Sequence, residues 1–172
     1  MKEYLANLVK QTTTALEGRN LVREYLQARI LESLQRSGAM IPLAFHGGTA
    51  LRFLYSHGRY SEDLDFALEG NRDNYHFRDY LKSIRSDLTS EGYQIEIKVN
   101  DQKVVNSAFI RFANLLHELG LSPMQNEVLA VKMEVDTNPP VGAGLSTTIV
   151  RRFVVLQRSE ERRVGKECRS RW

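Results

Sequence analysis

The chain is predicted to be an α+β protein, a mixed sheet of roughly five or six strands flanked by helices, and three observations predict it. Apolar residues from Glu3 to Gln35 recur at helical spacing. Beyond Tyr93 the apolar residues instead alternate with period two, as on half-buried strands. A length of 172 residues suits one domain with a single core.

The opening reads as two helices, Glu3 to Leu16 and Arg19 to Gln35, broken at Gly18. In the second, Leu21/Val22, Tyr25/Leu26 and Ile30/Leu34 mark a core face, with Arg23, Glu24, Gln27 and Glu32 between them. Ser37-Gly38 ends that helix, and Ile41 to Phe45 forms a short, largely apolar strand of the buried kind. Gly47-Gly48 then makes a turn, Thr49 caps a new helix, Ala50 to Tyr55 supplies its first turns, and Gly58 stops it. Ser61 to Leu68 alternates as a strand, and a helix from about Tyr75 to Ser90 is ended by Gly92. Tyr93 to Val99 and Val104 to Phe112 pair antiparallel around Asn100-Asp101. Val128 to Val135 and Thr148 to Leu156 complete the strands, joined by a loop that is stiff at Pro139-Pro140 and flexible at Gly142-Ala143-Gly144.

Charge needs to be read in two parts. The formal net charge is +3, but the last fifteen residues, Arg158 to Trp172, hold six Lys/Arg and three Glu. Removing them from the totals of 24 and 21 leaves 18 of each, so residues 1–157 are neutral and the basic balance belongs to the tail. Cys168 and Trp172, the chain's one cysteine and one tryptophan, also lie there. Residues 1–157 therefore carry no thiol for a disulfide, zinc site or nucleophile. The tail has no apolar periodicity, cap or turn pattern, and it resembles the conceptual translation of a short-read sequencing adapter joined after Gln157. The expected organisation is a domain at 1–157 and a non-native tail at 158–172. No apolar run approaches the roughly 18 to 20 residues of a membrane helix, and the first ten residues lack a signal peptide's apolar stretch. A cytoplasmic protein without membrane contact is expected.

Chemistry concentrates between Phe45 and Phe66. Side chains two apart on a strand share a face, so Asp63 and Asp65 present paired carboxylates while Leu64 and Phe66 face the core. Such a pair repels itself unless neutralised, and Mg²⁺ or Mn²⁺ suits it, because a hard cation takes one or two carboxylates and completes its shell with water and phosphate oxygens. Gly47-Gly48 opens a helix, where the missing Cβ atoms admit a triphosphate to the free N–H groups and the positive end of the dipole, and Thr49 adds a hydroxyl. Either feature alone is commonplace, a plain turn or a solvated acidic face. Together they place a cation beside the phosphates that it activates.

The run HGGTALRFLYSHGRYSEDLDFAL resembles the signature of the nucleotidyltransferase superfamily, in the form found in AbiEii/AbiGii-type toxins of type IV toxin–antitoxin systems and the related MenT toxins. Leu115 to Leu121 and VKMEVDTNPPVGAG are also similar to that family, so the resemblance extends from about Ile41 to Gly144. It implies a nucleotidyltransferase-like fold, Gly47, Gly48 and Thr49 as the phosphate-holding turn, Asp63 and Asp65 as the metal pair, and Ser61 as the serine before it. Arg59 as a triphosphate grip rests on its place in the motif alone. The family's third acid falls to Glu134 or to Asp136 on the same face, with Glu134 favoured. Lys132 shares that face and either meets phosphate or pairs with Glu134. His46, His57, His76 and His117 form no metal-ligand spacing on any one element and read as packing or surface residues, His46 beside the glycines being the one exception.

The implied activity is metal-dependent transfer of a nucleotide from a nucleoside triphosphate to an acceptor hydroxyl, such as a tRNA 3′ end, by the toxin component of an abortive-infection system with a cognate antitoxin. Transfer to a small molecule or protein, or a non-catalytic binding module that retains the fold, are the alternatives. Family members continue past a segment like Arg151 to Leu156 into helices bearing a lysine and an Arg-Asp pair, which this sequence lacks. The expectation is thus a domain incomplete at its C-terminus.

Overall fold

The computed structural model describes residues 2–55, 58–142 and 144–156, the strands at 150–152 and 154–156 by their backbone alone. His57 and the tail at 158–172 lie outside the described residues. Two helices lead, α1 (Lys2–Val9) and α2 (Ala15–Arg36). The break between them spans residues 10–14 and ends at Thr14, the cap of α2, and is not at the expected Gly18. Thr14 Oγ1 accepts the Glu17 N–H at 3.1 Å, and the Glu17 carboxylate accepts the Thr13 N–H and hydroxyl at 2.9 Å each. This reciprocal capping fixes the helix start. Gly18 lies inside α2 because Leu121 packs over it: a Cβ there would stand 2.6 Å from Leu121 Cδ2.

A five-stranded sheet follows in the order β1 (Leu43–His46), β2 (Asp63–Leu68), β5 (Leu129–Asp136), β4 (Val105–Phe112), β3 (Ile95–Asn100). It is mixed: β2 and β5 run parallel, and every other neighbouring pair is antiparallel. Helix α3 (Gly47–Tyr55) joins β1 to β2, α4 (Phe77–Ser90) joins β2 to β3, and the single turn α5 (Leu115–Glu118) follows β4. Helix α3 begins at Gly47 where Ala50 is expected, three residues earlier, so Thr49 sits within it and does not cap it.

The core lies between one face of the sheet and helices α2 and α4. Phe77, Tyr80, Leu81, Ile84 and Leu88 of α4 are buried at helical spacing, and Leu64, Phe66, Ala108, Ile110, Val131, Met133 and Val135 meet them from the strands. Each large apolar side chain so buried stabilises the fold by roughly 1.5–3 kcal/mol. Helix α2 is buried beyond the expected apolar face, and Glu24, Gln27, Arg29 and Ser33 are enclosed as well. Each has a polar partner: Arg29 pairs with Glu32 and Glu91 although its Nε is unpartnered, Ser33 with Asp87, Glu24 with Arg52 and Gln27 with the Ser61 carbonyl.

The final strand expected over Thr148 to Leu156 is instead a small hairpin, β6 (Val150–Arg152) and β7 (Val154–Leu156), forming a separate two-stranded sheet. The chain reverses at Phe153, whose φ is 58°, and the Phe153 ring meets Tyr25 of α2 edge-on at 5.6 Å. Among the described residues no helix is long and apolar enough to cross a membrane.

Candidate active site

Strand alternation separates two chemistries on the central strands. Along β5, Leu129, Val131, Met133 and Val135 are buried while Ala130, Lys132, Glu134 and Asp136 are half-buried on the opposite face. The parallel register sets Asp63 opposite Lys132 and Asp65 opposite Glu134, and β1 sets His46 opposite Asp65 on the other side. Residues paired across a ladder share a face. Asp63, Asp65, Glu134, Lys132 and His46 therefore stand together on the face away from the helical core.

The electrostatics follow from this crowding. Asp63 and Asp65 both titrate above the ordinary carboxylate range. Burial is the leading cause for each; Glu134 and Glu62 add to it at Asp63, Asp63 and Glu134 add to it at Asp65, and Lys132 and His46 act in the opposite direction. Lys132 donates to Glu134 at 2.9 Å, a bond that holds its ammonium pKa above the usual value, and its Nζ lies 5.9 Å from the centre of the Phe109 ring. Asp136 faces the same way one pair further along, where its carboxylate accepts the Asn138 N–H at 2.9 Å. Among the described residues no three His, Cys, Asp or Glu side chains stand in metal-holding geometry, and Glu134 is paired with Lys132.

The glycine turn touches these groups directly. Gly47 has φ +80°, a left-handed conformation that a side chain disfavours, and a Cβ there would meet the Asp65 carboxylate, 3.0 Å from its Cγ. A Cβ on Gly48 would lie 2.9 Å from Ser61 Oγ. Both glycines thus let the start of α3 close against the strand that carries the acids. Thr49 is fully buried and donates its hydroxyl to the Asp63 carbonyl at 2.5 Å, tying α3 to β2. Arg59, Ser61, Asp63 and Gly48 border one cavity of about 660 Å³.

Four residues at this site escaped the sequence reading. Tyr60 also borders the cavity, and the Arg52 guanidinium lies 3.7 Å from its ring centre. Arg52 is itself paired with Glu24 of α2, and both are buried. Gln27, one turn along α2, donates to the Ser61 carbonyl at 3.0 Å. The available signal was Glu24 and Gln27 at i, i+3 on the second helix, a spacing shared with any solvated face. Of the other histidines, His117 Nδ1 lies 3.2 Å from the Ser122 carbonyl and His76 precedes α4, so neither joins His46 at the site.

A glycine turn, one helix and a strand with alternating carboxylates, laid on a mixed sheet, make up a nucleotidyltransferase-like fold. Two solved structures from Helicobacter pylori share it: JHP933, at 20% identity and a TM-score of 0.51, and a protein described as a candidate nucleotidyltransferase, at 22% identity and a TM-score of 0.52. Each similarity covers 81% of this chain, which spans about half the length of those proteins, 52% and 53%. The chain belongs to the nucleotidyl transferase AbiEii toxin family of type IV toxin–antitoxin systems, whose profile matches residues 29–157. The tail from Arg158 lies outside that match. No curated protein sequence matches the chain significantly.

Proposed function

We propose that this chain carries the phosphate- and metal-binding part of a toxin that transfers a nucleotide from a nucleoside triphosphate to an acceptor hydroxyl. The observation that carries the reading is the contact of Gly47 with the Asp65 carboxylate, which brings the helix-start N–H groups and the acidic strand to one point. Asp63 and Asp65 are the residues to hold Mg²⁺ or Mn²⁺: they share one face, and a cation would stabilise carboxylates whose charged form is disfavoured first by burial and then by the neighbouring acids. Glu134, across the ladder from Asp65, is the third acid in this reading, released to it when Lys132 turns to phosphate. When bound, the metal supplies charge neutralisation at the acceptor oxygen and the leaving pyrophosphate.

The chain's own groups account for the rest. The start of α3 at Gly47 and Gly48 is the proposed seat of the triphosphate, with Ser61 and Arg59 bordering the adjoining cavity, while Thr49 acts through its bond to the Asp63 carbonyl. In the transfer the acceptor oxygen forms a bond to the α-phosphorus as the bond to pyrophosphate breaks, and the acceptor proton leaves to solvent or a site carboxylate. The tRNA 3′ end is the proposed acceptor and a cognate antitoxin the proposed partner, both in keeping with a toxin family of type IV systems. A reading as a non-catalytic module draws on the Lys132–Glu134 pair, which occupies the third acid.

Incubation with Mg²⁺, the four α-labelled nucleoside triphosphates and a tRNA pool separates the two readings. Label should enter RNA with the wild-type chain and fail to enter with Asp63→Asn at unchanged fold. Equal labelling by both proteins contradicts the metal role, and labelling by neither favours the binding module.

A further inference from the structure

We infer that Tyr60 is the stacking platform for the base of the nucleoside triphosphate, with the buried Arg52–Glu24 pair as the device that holds its ring; this rests on the proposed transferase reading. Tyr60 borders the same cavity as Gly48 and Asp63. A triphosphate anchored at the glycine turn leaves the remainder of that cavity to sugar and base, and about 660 Å³ falls within the roughly 300–1,000 Å³ typical of small-molecule sites.

The ring is held rather than merely adjacent. The Arg52 guanidinium covers one of its faces at 3.7 Å from the centroid, while the half-buried residue also borders the cavity. Arg52 is only 7% exposed, and its Nε donates to Glu24, itself 1% exposed, so the cation under the ring is fixed from α2. The flanking segment is pinned twice more, by Gln27 Nε2 on the Ser61 carbonyl at 3.0 Å and by Arg23 on Glu62 at 3.2 Å. A ring immobilised before binding spares the ligand the ordering cost of a free side chain. Stacking uses the π-face that every base has, so the platform serves all four bases alike.

The test is equilibrium binding of each nucleoside triphosphate, and of inorganic tripolyphosphate, in Mg²⁺ to the full chain and to Tyr60→Phe and Tyr60→Leu. Tyr60→Leu should weaken every nucleotide by about ten-fold. Tyr60→Phe should stay within about two-fold of wild type, and tripolyphosphate should bind all three proteins equally. Nucleotide affinity unchanged in Tyr60→Leu overturns the platform. An equal loss of nucleotide and tripolyphosphate also overturns it, because the residue then serves only the shape of the turn. A wild-type chain that binds neither ligand removes the transferase reading itself and this inference with it, an outcome distinct from the other two.

Discussion

Replacing Gly47 with alanine adds one methyl group at the point where the helix start meets the acidic strand. Two costs combine. The φ of +80° is left-handed, which costs an L-residue roughly 1–2 kcal/mol. The new Cβ would also stand 3.0 Å from Asp65 Cγ and 3.1 Å from its Cβ, inside the roughly 3.5–4.0 Å of a favourable carbon contact. Turning Asp65 aside to an off-rotamer position costs about 0.5–1.5 kcal/mol. The sum, about 1.5–3.5 kcal/mol, lowers the melting temperature by roughly 3–14 °C in a domain of this size. A double-mutant cycle isolates the contact: in an Asp65→Gly background only the backbone cost should remain, leaving a coupling of about 0.5–1.5 kcal/mol. Nucleotide transfer by Gly47→Ala should fall about 100-fold, the scale on which a displaced catalytic group is felt. Thermal melts and labelled-nucleotide transfer on the four proteins read both effects. Equal destabilisation in both backgrounds would refute the contact between turn and carboxylate.

Three further outcomes are expected. Because Asp65 has its pKa raised by burial and by the neighbouring acids, its contribution to stability is present when protonated, below the unfolded value near 3.9, and is lost as pH rises through the folded value. Metal-free Asp65→Asn should therefore melt above wild type at pH 7.5, with the gap closing as pH falls toward 3.5; a variant less stable than wild type at pH 7.5 contradicts this. Arg52→Met removes the cation beside buried Glu24 and should cost about 3–5 kcal/mol, much of it recovered in Arg52→Met/Glu24→Leu, as urea denaturation would show. Deleting residues 158–172 should leave the melting temperature unchanged, and a clear fall would show that the tail packs on the domain.

The elements most legible in the sequence were those whose pattern has one physical meaning. Helix α4 and the β3–β4 pair combine a clean period with a bounding glycine or an Asn-Asp turn, and they appear within two residues of expectation. Gly18 misled because a glycine in a helical run is either a breaker or a close approach, and Leu121, the neighbour that decides it, is 103 positions away. The hairpin at 150–156 was read as one strand because alternation does not reveal a reversal at a non-glycine residue such as Phe153. At the site, spacing within one motif puts Asp63 and Asp65 on one face beside the glycine turn, whereas the third acid, Glu134 or Asp136, enters only through the family resemblance, since alternation places both on the same face. Which strands are neighbours was not visible, and the parallel β2–β5 register that puts Glu134 across from Asp65 is a long-range pairing. Tyr60, Arg52, Glu24 and Gln27 stayed hidden for the same reason: their meaning lies in how α2 and α3 pack.

The most direct test of the account is water-proton relaxation of Mn²⁺–nucleoside triphosphate, which rises when the complex is immobilised on protein, compared across wild type, Asp65→Asn, Glu134→Gln and Asp136→Asn. The arrangement of β2 and β5 predicts enhancement with wild type and Asp136→Asn and its loss with Asp65→Asn and Glu134→Gln. The same enhancement in all four proteins, or its loss in Asp136→Asn alone, would contradict the assignment of Asp65 and Glu134 as the metal-holding carboxylates.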